Sequence, residues 1–235
     1  SKLAPGTRVL IAGHELKFAS FLIDELESHG IQVDIDKWSG HAKHDEKVSL
    51  EKLASADVVF CEWGLGNAVW YSKHLQDHQR MVVRVHLQEL TLPYLRKINH
   101  SKVNKYLFVG ELIRQSAIVS HGIPAQLTTV IPNAVSEAQL KIPKVAEARF
   151  GIGIVGIVPQ RKRLDSALDL LERLQKEDDR YHLRIKGKLP SDYPWMKDRK
   201  EEFAYYEEQF NRIEAMNQNQ PGSVIFDDFG PDMSD

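Results

Sequence analysis

Three stretches hold residues whose types and spacing can do chemistry. Arg80-Met-Val-Val-Arg-Val-His86-Leu-Gln-Glu89 carries a β-branched run into an imidazole and a carboxylate. Read as a buried strand, residues 80–85 deliver His86 to the strand's carboxyl end, where open α/β sheets hold their ligands. There an imidazole can position a hydroxyl or take its proton. The competing reading is an ordinary structural histidine. Cys61-Glu62-Trp-Gly-Leu-Gly-Asn67 closes another apolar run with a carboxylate and two glycines, and Asn67 is a good N-cap for a helix that follows. Arg161-Lys162-Arg163 crowds cations into the first turn of a helix predicted over 164–176, with Asp165 offsetting part of the charge. That crowding costs a few tenths to ~1 kcal/mol per charge at an amino end that is already positive. It becomes favourable when a phosphate or diphosphate docks. The plain alternative is long side chains splayed into water.

Other motifs carry less. Gly13-His-Glu-Leu-Lys is not the Gly-x-Gly-x-x-Gly turn of a nicotinamide dehydrogenase, although it is expected to set backbone N–H groups at a helix start. Asp34-Ile-Asp36 imitates an Asp-x-Asp metal site, yet any strand puts polar residues two apart on one face. His41-x-x-His44-Asp45 has metal-ligand spacing in a loop whose histidines can as well be solvated. Asp228-Phe-Gly230 spells a kinase metal motif without the glycine loop or His-Arg-Asp that would accompany it. No nucleophile–base arrangement emerges, because Cys61 ends a buried strand.

These residues need a scaffold, and the hydrophobic pattern supplies one. Strands are predicted at Thr7–Ala12, Ile31–Asp36, Ala56–Cys61, 80–86, Tyr106–Val109 and Leu127–Ile131, with helices between them. Strand and helix alternating at this spacing mean a parallel α/β sheet. A linker is expected at 134–148. A second domain then starts afresh with Gly151–Val158, an amphipathic helix carrying Leu164, Leu168 and Leu171, a strand at Tyr181–Lys186, a charged helix over 196–216 and a last strand at Ser223–Phe226. The domains are thus expected at 1–133 and 149–235, the second one incomplete, as though the chain were the front part of something longer.

Bulk properties narrow the class. The 235 residues are 42% hydrophobic and 27% charged, with a net charge of −2, so no global field favours nucleic acid. The single cysteine excludes an internal disulfide framework and points to a reducing, cytoplasmic setting. No apolar run reaches the ~18 residues that span a bilayer. The opening Ser-Lys-Leu-Ala-Pro-Gly lacks the apolar core of a signal peptide and reads as a leader or a cut end. Residues 94–106 hold Arg96, Lys97, Lys102 and Lys105 without an acid, a local patch for peripheral contact with an anionic membrane face or acceptor.

Taken in order, Gly13-His14, His86, Val-Ile131-Pro-Asn133-Ala134 and Gly156-Ile157 with Lys162-Arg163 resemble the retaining GT-B glycosyltransferases, in their bacterial polysaccharide type. The resemblance covers most of residues 7–190. It implies two Rossmann-like, doubly wound parallel-sheet domains that move a sugar from a nucleoside-diphosphate sugar to a saccharide or other hydroxyl acceptor. It implies retention of configuration, with neither metal nor cofactor. On this reading His86 and Glu89 are catalytic. Gly13, His14, Glu62 and Asn67 line the ligand site, and Lys162 with Arg161 neutralises the departing diphosphate. The sequence departs from the pattern where Ile157 replaces an arginine and Ala134 a glycine. The family's Glu-x7-Glu pair is not found either and is expected beyond Asp235, so the chain as given is expected to bind donor poorly or not at all and to be inactive for lack of that region. Two alternatives remain: a non-catalytic saccharide- or partner-binding module of the same fold, and a sugar-nucleotide epimerase.

Overall fold

Apolar, β-branched runs become the strands of two parallel sheets in the computed structural model, which describes residues 3–135, 141 and 143–230. The contacts divide the chain into two units, Ser1–Val135 and Ser136–Asp235. Of the linker predicted over 134–148, residues 136–140 and 142 lie outside the described residues, while Ala146–Phe150 form a short 3-10 turn.

The first unit is built on β1 (Arg8–Gly13), β2 (Gln32–Lys37), β3 (Val58–Glu62), β4 (Arg80–Val85), β5 (Lys105–Phe108) and β6 (Thr128–Val130). All pair in parallel, in the order β2-β1-β3-β4-β5-β6. The direction of winding reverses between β1 and β3, so the carboxyl ends of those two strands form the switch point where such sheets place ligands. Both faces are covered, which is why the strands read as continuous apolar runs rather than alternating ones. Val9, Ile11 and Phe60 pack with Leu22 and Leu26 of helix α1 (Ser20–Ser28) on one side. Leu10, Val59, Met81, Val83, Val85, Tyr106 and Phe108 pack on the other side, against α2 (Glu46–Ser55), α3 (Gly66–His74) and α4 (Glu111–His121), which contribute Leu53, Tyr71 and Ala117.

Local chemistry starts these helices differently from the sequence expectation in two places. A 3-10 turn, Lys17–Ala19, separates Gly13-His14 from α1, so the glycine does not open a helix and presents no helix amino end. Asn67 is not an N-cap; it lies inside the first turn of α3. Helix α2, by contrast, starts on a side-chain cap, with Asp45 accepting from the backbone N–H groups of Lys47 and Val48 that would otherwise lack partners.

The second unit has β7 (Gly151–Val155), β8 (His182–Lys186) and β9 (Val224–Asp227), parallel and in that order. Helix α5 (Leu164–Gln175) turns Leu164, Leu168 and Leu171 inward, as its 3.6-residue stripe requires. They meet Leu183, Ile185 and Val224 of the sheet together with Tyr206 and Ile213 of α6 (Lys200–Asn219). Val155 and Phe226 of this sheet stay 57% and 43% exposed.

Candidate active site

Strand alternation decides which side chains meet at the switch point. In β1 the residues sharing a face are Val9, Ile11 and Gly13; in β3 they are Val58, Phe60 and Glu62. Glu62 stands in register with Arg84 of β4, and His86 follows two residues later on the same side. Gly13, Glu62, Arg84 and His86 therefore converge at one edge of the sheet.

His86 Nε2 lies 2.9 Å from Glu62 Oε1. Arg84 Nε donates to the same oxygen at 3.1 Å and sits 2.8 Å from Oε2, while its Nη2 donates to the Phe18 carbonyl. The Glu62 side chain is wholly buried, and those of Arg84 and His86 are 10% and 7% exposed. A carboxylate taken out of water must be paired, and this one has a guanidinium and an imidazole. Among the described residues nothing bonds His86 Nδ1, and that atom is not sealed from solvent.

Trp63 closes the arrangement from above the imidazole. Its backbone sits at φ 69°, a left-handed conformation that costs a bulky residue about 1–3 kcal/mol. The ring stacks on His86 with centroids 4.0 Å apart and planes 29° apart, and the indole N–H donates to the Glu15 carbonyl at 3.0 Å. Phe18 lies 5.1 Å from His86 on the same cluster. His14, predicted to line the site, stands 6.1 Å from Trp63 and edge-on to His41 at 4.8 Å. Burial, then the neighbouring His41, hold His14 below the usual imidazole range. The edge thus sets the half-buried aromatic residues Trp63 and Phe18 beside one imidazole nitrogen.

Glu89, Glu62 and Asn67, expected to meet a ligand, are each engaged within the protein. Glu89 is fully buried; its Oε1 accepts the backbone N–H groups of His86 and Gly64, each at 3.0 Å, and Oε2 is sealed without a partner. Burial pushes its carboxyl above the usual range against those two bonds. Glu89 therefore clamps backbone. Glu62 holds His86 and Arg84. Asn67 donates to the carbonyls of Ala12 and Glu62 and accepts from Leu65, tying the ends of β1 and β3 together. Gly13 is demanded by that closeness: a Cβ there would stand 2.6 Å from the Glu62 carbonyl oxygen. Gly66 is just as confined, with a Cβ 2.6 Å from that of Ala42.

Sequence reasoning missed Arg84, Trp63 and Phe18. A lone arginine in an otherwise apolar strand was the available signal for the first. Nothing local announces the other two.

In the second unit, Gln160–Lys162 form a 3-10 turn ahead of α5. The expected cluster of three cations is reduced to two. Arg163 takes the N-cap position at φ 61° and closes a two-pronged ion pair on Asp165, which Tyr205 also bonds. The side chains of Arg161 and Lys162 are exposed and have no hydrogen bond or ion pair among the described residues.

The remaining motifs are spent on structure. Asp34 pairs with Lys52 at 2.6 Å, and Asp36 Oδ2 accepts from Trp38, Ser49 and Tyr71. His44 stacks on Trp38 and bonds Ser49, while Asp45 caps α2. Among the described residues no group of three or more His, Cys, Asp or Glu side chains is arranged to hold a metal. Cys61 is buried, and burial pushes its thiol far up, away from nucleophilic use.

No family model and no curated protein matches this sequence. Solved structures do. Anabaena HepE, solved in complex with UDP-glucose, superposes with a TM-score of 0.59 at 14% identity, over 97% of this chain and 70% of its own. A glycosyltransferase from Rickettsia africae gives a TM-score of 0.57 at 12% identity, over 97% and 70%. The fold is GT-B-like. At these identities the fold is what is shared.

Proposed function

We propose that this chain is a glycosyltransferase, taking a sugar from a nucleoside-diphosphate sugar and passing it to a hydroxyl of a saccharide acceptor. The observation that carries the reading is His86: an imidazole fixed by a buried carboxylate, open at one nitrogen, beside the switch point of a GT-B-like sheet. That HepE shares the fold and was solved with UDP-glucose supports a uridine-diphosphate sugar as the first donor to try.

In this mechanism the bond from the anomeric carbon to the diphosphate breaks and its electron pair leaves with the diphosphate. Arg161 and Lys162, exposed and without side-chain partners among the described residues, neutralise that charge, so the transfer needs no metal. His86 meets the reacting hydroxyl, and the Gly13–His14 turn lines the acceptor side with the half-buried rings of Trp63 and Phe18. Configuration at the anomeric carbon is retained, as the sequence resemblance implies. The setting is cytoplasmic. No helix among the described residues is long and apolar enough to cross a membrane. The 94–106 stretch makes peripheral contact at most through part of its charge, because Arg96 is tied to the Ser120 carbonyl and Lys102 to Asp77.

The test is turnover. Incubated with UDP-, GDP- and ADP-sugars and a panel of saccharides, the protein should release one nucleoside diphosphate in an acceptor-dependent, EDTA-insensitive way. Proton NMR of the product should show the donor's anomeric configuration. Conversion of the sugar nucleotide without any acceptor would make the protein an epimerase. Absence of both turnover and calorimetric nucleotide binding in a complete chain would leave a saccharide-binding module.

A further inference from the structure

We infer that Glu62 is the positioning residue that sets the tautomer of His86. A carboxylate oxygen only accepts, so the 2.9 Å contact requires the proton of the neutral imidazole to sit on Nε2. The second ring nitrogen, Nδ1, is then a lone pair, and it is the nitrogen that no described residue bonds and that solvent reaches. The outward-facing atom of His86 is an acceptor. This separates two roles that the sequence leaves joined, donating a hydrogen bond to a ligand and receiving a ligand's hydroxyl proton.

The surroundings enforce the assignment. Arg84 Nε shares Glu62 Oε1 with His86 and lies 2.8 Å from Oε2, so the carboxylate cannot swing away from His86 without leaving a buried guanidinium unpaired. Arg84 is itself anchored on the Phe18 carbonyl. Glu89 holds the backbone N–H of His86, and Trp63 covers the ring face, so rotation of the imidazole is opposed at the main chain and at the ring. When a ligand hydroxyl docks against Nδ1, its O–H bond can break as Nδ1–H forms, the electron pair remaining on oxygen. The resulting imidazolium keeps Nε2–H on Glu62 and returns the added proton to water after the product leaves.

The inference rests on the proposed function only for the identity of the hydroxyl; the tautomer belongs to the chain without ligand. The full chain is labelled with 15N in its histidine rings, and long-range proton–nitrogen correlations are recorded at alkaline pH. His86 is assigned among the ten histidines by the signal lost in His86→Asn. The expected result is a protonated Nε2 and an unprotonated Nδ1. A proton on Nδ1, or an even mixture, overturns the inference. In the variant that combines Glu62→Leu with Arg84→Met, the partner is removed without stranding a charge. His86 should then drift to a mixture; retention of the Nε2–H form would show that Glu62 does not set it. A protein with the expected tautomer and no glycosyl transfer would defeat the proposed function and leave this inference standing.

Discussion

The edge around His86 and the turn at Arg161–Lys162 solve the placing of charge in opposite ways. At the first, every charged group is buried and paired: Glu62 with His86 and Arg84, Arg84 with a carbonyl, Glu89 with two backbone N–H groups. At the second, two cations stand in water without partners among the described residues, and the third is removed from the set by Asp165. Low-dielectric surroundings make the first arrangement rigid and give its one open nitrogen a fixed direction. Exposure leaves the second arrangement adaptable. The difference teaches where chemistry and where binding are to be sought. On the proposed function, the group that must act on a particular atom is held from all sides, whereas the counter-charge for a mobile diphosphate is left open.

The largest test of that contrast is His86→Ala. Loss of a positioned acid–base group should lower turnover by about 10²- to 10⁴-fold while circular dichroism stays native. Turnover within a few-fold of wild type would reduce His86 to a structural histidine, and the contrast between the two regions would lose its meaning.

How much of this is legible in the sequence follows from the range of each interaction. The parallel sheets, the helix over residues 164–175 and the convergence of Gly13, Glu62 and His86 on strand ends follow from local periodicity, which one sequence displays. The partnership of Glu62 with Arg84 depends on the register between β3 and β4, residues 22 apart in the chain, and register is not written locally. Glu89 reads as catalytic in the sequence because carboxylates near a histidine usually face it. Here a 3-10 turn, Gln88–Thr91, folds the side chain back under its own backbone. Arg163 reads as one of three open cations because Asp165, two residues on, looks like partial compensation. A left-handed N-cap lets the pair close completely.

The tightness of the first region predicts the next effect. Gly13→Ala would press a methyl against the Glu62 carbonyl at 2.6 Å, so β1 and β3 must separate. Overpacking of this kind costs about 1–3 kcal/mol, and the loss should appear in chemical denaturation together with reduced turnover. A variant as stable as wild type would show that the edge yields more easily than its hydrogen bonds suggest. The looseness of the second region predicts a milder and more selective effect. Replacing Arg161 and Lys162 by Ala should weaken nucleoside diphosphate binding about tenfold, as expected for losing charge-assisted contacts, and leave nucleoside binding and stability alone. High salt should mimic the substitution in part, because exposed charges are screened. Equal loss for nucleoside and nucleoside diphosphate would sever the turn from the phosphate.

The smallest effect sharpens the description of the buried side. Glu89 lies in the interior with its carboxyl pushed above the usual range by burial, so the unfolded chain releases this proton at a lower pH than the folded one does. Between those two values the native state binds more protons than the unfolded state, and stability falls as pH rises. The contribution is fully present below the ordinary glutamate value and is lost as pH climbs through the native value. Glu89→Gln keeps an oxygen for the N–H groups of His86 and Gly64 and has no proton to lose. Denaturation midpoints taken across a pH series should therefore nearly coincide for the two proteins in acid and diverge in the variant's favour towards neutrality. Parallel curves would mean that Glu89 ionises in the folded chain as it does in the unfolded one. The sealed Oε2 would then have to be reached by water, and the edge around His86 would be wetter than its burial implies.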